Sequence, residues 1–227
     1  MRLYITKYNF LSVICNSDIV IPTDDHHAYD FYKKYNYLYD KYYIAKSQNL
    51  LTGRDYPSEF PIIIRPIINL DGMGKNCSIH YNYKNNYKIP NNFFWVQLLS
   101  GAHYSVDIFY SNDNINGYIC FMGYPGNMFT FKYWEYISSY KIPDSIIKWI
   151  LKHMKGFNGV FNLEIIGTHI IECHLRMGDL NYFQDENLIS LVINTHKGKN
   201  VVIPKLHKIY IFPVFLDKYV ELNINDF

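Results

Sequence analysis

The segment from 160 to 176 constrains the fold most. Two apolar stretches, 160–166 and 168–173, flank the single residue Gly167. A lone glycine between runs of β-branched residues reads as a tight hairpin, because glycine accepts the positive φ that such a turn needs. Polar residues interrupt both arms. Asn162 and Glu164 lie on the first; Glu172 and His174 lie on the second, with Arg176 two residues on. Side chains alternate along a strand, so Glu172, His174 and Arg176 are expected on one face, and Asn162 and Glu164 also share a face. Two carboxylates, an imidazole and a guanidinium on one sheet face make a hard-ligand metal site with a cation for phosphate. The bland alternative is an exposed face with cross-strand ion pairs. Ile165, Ile166, Ile170 and Ile171 assign the opposite face to a core.

The remaining chain reads as strand pieces and a few helices. Residues 1–23 suggest a short strand or two ending at Pro22. The Asp24-Asp25-His26-His27 cluster could bind a metal only if the backbone turns its adjacent ligands together; it precedes a helical pattern over 28–51, and the aspartates read as caps. Thr52-Gly53 reads as the stop of that helix. Residues 60–68, apolar and punctuated by Pro61 and Pro66, read as a buried strand around Arg65. It runs into the loop Asn69-Leu70-Asp71-Gly72-Met73-Gly74-Lys75-Asn76, and 78–83 forms the returning strand. A cation at a strand end followed by a glycine-rich loop is one way to hold phosphate, since backbone N–H groups then approach closely. Residues 93–99 read as another buried strand, broken by Ser100-Gly101. Residues 104–110 and 117–122 are further strands around turn material at 112–117. The stretch 123–140 reads as irregular and aromatic. A helix begins at Pro143-Asp144, carries Ile146, Ile147, Ile150, Leu151 and Met154 at helical spacing, and ends at Gly156. Residues 185–227 suggest a helix and two strands. Antiparallel sheet with a few helices gives an α+β protein.

Composition narrows the function classes. Twenty-two basic and 20 acidic residues in a chain of 227 leave a net charge of +2, which supplies no general attraction to nucleic acid. No apolar run reaches the roughly 18 residues of a membrane helix. The four cysteines at 15, 77, 120 and 173 show no zinc-ribbon spacing and read as reduced thiols. With no secretory leader legible at the N-terminus, an intracellular, cytoplasmic location is expected (a host cytoplasm if the source is viral). The 23 Tyr and 15 Phe, with abundant Asn, Ile and Lys, fit an AT-rich coding bias. No G-x-S-x-G elbow and no H-E-x-x-H helix occurs.

The order of these features resembles the ATP-grasp superfamily. Asp40-Lys41 matches a lead-in Asp-Lys, and Arg65-Pro66 a strand ending in Lys-Pro. Asp71 to Lys75 matches the flexible glycine loop, Gln97 to Gly101 the hinge, and Glu164 with Glu172, His174 and Arg176 the metal hairpin. The resemblance spans about residues 37–180. It implies two small lobes of mostly antiparallel sheet with an ATP site between them: 60–95 the nucleotide-loop lobe, 96–180 the metal-binding lobe. Residues 1–36 would precede this unit and 181–227 would extend it.

The resemblance also implies roles. Lys41 and Arg65 would contact phosphates, and Gly72, Met73, Gly74, Lys75 and Asn76 would close over them. Gln97 and Leu99 would meet adenine, and His103 would stand where a ribose-binding Glu is usual. Glu164, Glu172 and His174 would bind Mg²⁺, or Mn²⁺ given the imidazole. Arg176 and Lys75 would serve catalysis. The expected activity is an ATP-dependent ligase that activates a small-molecule or peptide carboxylate as an acyl phosphate for an amine. The short N-terminal region leaves room for a protein partner or a homodimer; no nucleic-acid or membrane partner is expected. Two other readings remain: a nucleotide-binding module or pseudoenzyme acting with a partner, and a structural or carbohydrate-contacting protein using aromatics such as Tyr133, Trp134 and Tyr136.

Overall fold

The computed structural model describes residues 18–72, 74–82, 88–126, 129–178, 186–204, 206 and 210–211. Within 18–23 there is no strand, and Cys15 lies outside the described residues. The helical pattern over 28–51 does not run as one helix. It divides into α1 (Asp25–Phe31), a 3-10 turn (Asn36–Tyr39) and α2 (Lys41–Ser47). Capping explains the division. Asp24 accepts from His27 N at 2.9 Å and starts α1; Asp40 accepts from Tyr43 N at 2.8 Å and starts a second helix inside the apparent one. Asn49, at φ 59°, provides the left-handed turn after α2. Thr52–Gly53 is therefore not a helix stop but the short strand β1. A Cβ on Gly53 would come within 2.9 Å of the Trp95 ring, so glycine lets the indole lie against the backbone.

β1 joins β2 (Ile62–Pro66), β3 (Ser78–His80) and β4 (Phe93–Gln97) in an antiparallel sheet of order β1-β4-β2-β3. Beyond β4 the chain passes Ser100-Gly101 into a second antiparallel sheet. It contains β5 (His103–Ser111), β6 (Asn114–Pro125), β7 (Phe131–Tyr136), β8 (Gly159–Ile166), β9 (His169–His174) and β10 (Tyr210–Ile211), ordered β10-β7-β6-β5-β8-β9. The β5–β6 turn is tighter than its polar run suggests. Asn112 and Asp113 alone form it, at φ 53° and 59°, so β6 begins at Asn114. The stretch 123–140 is not irregular: β7 lies within it. Aromatic residues fall on both of its faces (Tyr133 on one, Trp134 and Tyr136 on the other), so the sequence shows no apolar–polar alternation.

α3 (Asp144–His153) lays Ile146, Trp149 and Ile150 on one face of the large sheet, against Val106, Ile108, Phe161 and Leu163. On the other face α4 (Glu186–His196) buries Leu188, Ile189 and Val192 with Phe109, Ile119 and Phe121. No helix among the described residues is long and apolar enough to cross a membrane. Cys77, Cys120 and Cys173 are free thiols.

Candidate functional site

The β8–β9 hairpin forms about Gly167, at φ 60°. Glu164 is the register partner of Glu172, and Asn162 that of His174. Ile171 is an extra residue between the Glu164/Glu172 and Ile165/Ile170 pairs, a bulge that still leaves Glu172 and His174 on one face. β5 extends both rows, with Ser105 opposite Glu164 and Asp107 opposite Asn162. Two polar rungs thus cross three strands: Ser105, Glu164, Glu172 and Asp107, Asn162, His174. Arg176 departs from the expectation of strand alternation. The strand ends at His174, and Arg176 lies in the bend beyond it.

The small sheet meets the first rung. Lys41, at the start of α2, places Nζ 2.8 Å from Glu172 Oε1, and the Arg65 guanidinium of β2 binds the same oxygen. Both cations are more than nine-tenths buried. Burial opposes ionisation of Glu172, but Lys41 and Arg65 outweigh it and hold the carboxyl down to about 2. The Lys41 ammonium is pushed below its ordinary value by burial, with Glu172 acting against that shift. Glu172 Oε2 faces the other way and lies 3.6 Å from His174 Nε2. Glu164 is half-buried, its Oε2 2.5 Å from His103 Nε2. The His103 ring meets Phe131 and Trp134 edge-on. Trp134 is buried there, which removes it from any exposed aromatic surface.

The second rung is anchored from outside the sheet. Asp25, buried in the first turn of α1, accepts from Tyr39 Oη at 3.0 Å, His174 Nδ1 at 3.1 Å and Arg176 Nη2 at 2.7 Å. Burial opposes its charge, yet His174 and Arg176 hold its carboxyl well below the usual range. Burial likewise acts against an imidazolium at His174, but Asp25 reverses that and raises the pKa. Arg176 also donates to Met177 O at 3.0 Å. The sequence suggests a cap for Asp25, with metal binding by its cluster as the alternative, and does not show its contact with the hairpin. Of the two adjacent aspartates only Asp24 caps; a second aspartate that cannot share the capping role was the available signal.

Other expected residues are placed as follows. Gln97 Oε1 accepts from Leu51 N at 2.9 Å, so this side chain ties β4 to β1. Leu99 packs half-buried against the small-sheet core. In the glycine loop Gly72, Gly74 and Asn76 have φ near 60°. A Cβ on Gly74 would meet Phe129 at 2.7 Å, so the loop touches the segment before β7. Lys75 is exposed, 3.6 Å from Asp71, and does not join Lys41 and Arg65; Asp71 also binds His26 at 3.2 Å. Met73 lies outside the described residues.

The arrangement has a definite chemical capacity. Two buried cations, Lys41 from α2 and Arg65 from the small sheet, face hard oxygen donors of the large sheet. Among the described residues no three His, Cys, Asp or Glu side chains converge as a metal cage. The site instead offers the open edge of Glu172 Oε2 and His174 Nε2, with Glu164 on the same rung. That donor set fits a divalent cation whose remaining ligands are phosphate oxygens and water.

Comparison with solved structures decides the fold. An L-amino acid ligase from Bacillus licheniformis aligns at TM-score 0.52 and 15% identity, over 69% of this chain and 46% of that one. Biotin carboxylase from Campylobacter jejuni, in an ATP-analogue complex, aligns at 0.57 and 12%, over 86% and 57%. The N5-carboxyaminoimidazole synthetase of Staphylococcus aureus with ADP aligns at 0.56 and 13%, over 73% and 53%. This is an ATP-grasp fold. The chain spans about half the length of these ATP-grasp structures. No protein-family model matches the chain, and no curated protein does. The α+β arrangement of two antiparallel sheets expected from the sequence is the one observed.

Proposed function

We propose that this protein binds Mg²⁺–ATP between its two sheets and acts as an ATP-dependent ligase, activating a carboxylate for attack by an amine. One observation carries the reading: Lys41 and Arg65 of the small lobe converge, buried, on Glu172 of the hairpin. In the proposed complex these cations turn to the nucleotide phosphates. Glu164, Glu172 and His174 face the metal, and residues 72–76 cover the phosphates. Leu99 and the Gln97 backbone border the adenine, and His103 with Glu164 the ribose. Glu164, Glu172 and His174 would hold the metal, which would supply positive charge against the phosphates during phosphoryl transfer. The chain's own work is positioning and charge neutralisation, with water excluded by the loop. Residues 37–180 would form this nucleotide-binding unit, with 181–227 as its extension, in a cytoplasmic enzyme.

The structural neighbours support the reading: an amino acid ligase, a carboxylase and a synthetase, with ADP or an ATP analogue bound in two of them. A second reading, a nucleotide-binding module without ligase chemistry, is favoured by Arg176. This candidate for the reacting oxyanion is buried and paired with Asp25.

Thermal unfolding with Mg²⁺–ATP, beside ADP, GTP and EDTA controls, tests binding. Ligand at 100 times its Kd adds about 2.7 kcal/mol, a rise of roughly 5–10 °C in a chain of this size. A Mg²⁺-dependent rise that shrinks in Glu164→Gln supports the site. No shift with any nucleotide refutes it. ADP release across a panel of acids and amines then separates ligase from module.

A further inference from the structure

The nucleotide–metal reading uses β8 and β9 but leaves unexplained why a buried aspartate reaches into the hairpin from α1. Asp25 is only 5% exposed, and its carboxylate accepts from three donors, Tyr39 before α2 and His174 and Arg176 at the end of the hairpin. A buried carboxylate with this many partners fixes whatever it holds. What it holds is the Nδ1 edge of His174, 3.1 Å from both carboxylate oxygens.

An imidazole has two nitrogens, and the bond made by one decides what the other offers. With Nδ1 spent on Asp25, Nε2 is the atom that faces the cleft, 3.6 Å from Glu172 Oε2. The second Glu172 oxygen is already taken by Lys41 and Arg65. The remaining Glu172 oxygen and the remaining His174 nitrogen thus face each other across a long contact, an ion pair when the imidazole is protonated and a place a cation could enter when it is neutral. Ligands about 2.1 Å from an octahedral cation stand roughly 3 Å apart when adjacent, so a modest closure would let one ion take both. A carboxylate behind a histidine is also what orients an imidazole toward a metal and raises its basicity.

We propose that Asp25 is a positioning residue of the metal–nucleotide site: it holds the His174 ring so that Nε2, beside Glu172, presents to the divalent cation. This inference rests on the nucleotide–metal reading above. It gives the first turn of α1 a role in the site that the hairpin motif alone does not contain. An imidazole held this way favours Mn²⁺ over Mg²⁺.

The test is a titration of Mn²⁺ in the presence of ADP, followed by electron paramagnetic resonance of the free ion, on the full chain and its variants. Asp25→Asn keeps the shape of the side chain but weakens its hold on the Nδ1–H. Its Mn²⁺ affinity should fall 10–100-fold. Tyr39→Phe removes a different bond to Asp25 and leaves His174 in place; it should lower the melting temperature with Mn²⁺ affinity unchanged. Wild-type affinity in a folded Asp25→Asn protein overturns the inference and leaves the nucleotide reading standing. Absence of Mn²⁺–ADP binding in the wild type overturns both. Should Asp25→Asn fail to fold, ¹⁵N-histidine NMR of the wild type decides, with His174→Gln assigning the signal. Mn²⁺–ADP should broaden the His174 Nε2 resonance before Nδ1; an unaffected His174 signal overturns the inference.

Discussion

Asp107 shows how a single residue sets a pH response. It is buried on β5, and Asn162 Nδ2 at 2.9 Å and Gly178 N at 2.6 Å donate to the same oxygen, Oδ1. Burial outweighs those two bonds and pushes its pKa up to about 6. The folded protein therefore keeps the proton where the unfolded chain, near 3.8, has lost it. That favours the fold below about pH 3.8, and the advantage disappears as pH rises to about 6. Two units correspond to roughly 3 kcal/mol. Asp107→Asn retains an acceptor for both donors and removes the charge. It should raise stability at pH 7 by up to that amount and flatten the Asp107 contribution between pH 4 and 6. Chemical denaturation of both proteins across that range checks this; identical profiles would refute the assignment. Asp107 was visible in the sequence as part of an alternating strand, but its burial was not, because burial depends on Gly178 arriving from beyond β9. A Cβ at that glycine would come 2.9 Å from Asp107 Oδ1.

Among the elements, the hairpin was the most legible and the N-terminal helices the least. Gly167 and the alternation of Glu172 with His174 are local signals. The division of 28–51 into α1, a 3-10 turn and α2 is decided by what each piece must reach: Tyr39 goes to Asp25, Lys41 to Glu172 and Gln48 to β9. The last contact protects an edge strand. Gln48 donates from Nε2 to Ile170 O at 2.8 Å and accepts from Ile170 N at 2.8 Å, pairing as a neighbouring strand would beside the Ile171 bulge. Ile170 is fully buried, so its backbone groups have no easy replacement. Gln48→Ala should cost about 1–3 kcal/mol, the range for leaving a buried polar group unsatisfied. Hydrogen exchange should show the Ile170 amide losing protection ahead of the β5–β8 ladder. Equal protection in wild type and variant would mean that the bulge is held by the backbone alone.

At the scale of the whole molecule, the order of motifs gave the two-lobe arrangement, whereas the charge balance between the lobes required coordinates. Lys41, Arg65 and Glu172 were each legible as candidate site residues from their own motifs. That two cations share one carboxylate oxygen across the cleft is a property of the packed lobes. It has a consequence for Glu172→Gln, which the sequence would treat as a silent change outside catalysis. The Glu172 carboxyl, held down to about 2 against an ordinary value of 4.5, stabilises the fold above about pH 4.5, and that contribution is lost as pH falls toward 2. Replacing it by an amide leaves two buried cations facing each other. Breaking a buried pair from one side typically costs 3–5 kcal/mol. Glu172→Gln should therefore melt well below the wild type in nucleotide-free buffer at pH 7, and the difference should narrow as pH falls from about 4.5 toward 2, where the wild-type carboxyl begins to take up its proton. The same two cations then lack their internal anion and become a stronger site for an external one. Tripolyphosphate without metal should raise the melting temperature of Glu172→Gln more than that of the wild type. Equal stability of the two proteins would show that Lys41 and Arg65 do not depend on Glu172. A lower melting point without rescue by the polyanion would show that these cations are closed off from the cleft, and would count against their proposed role in holding phosphate.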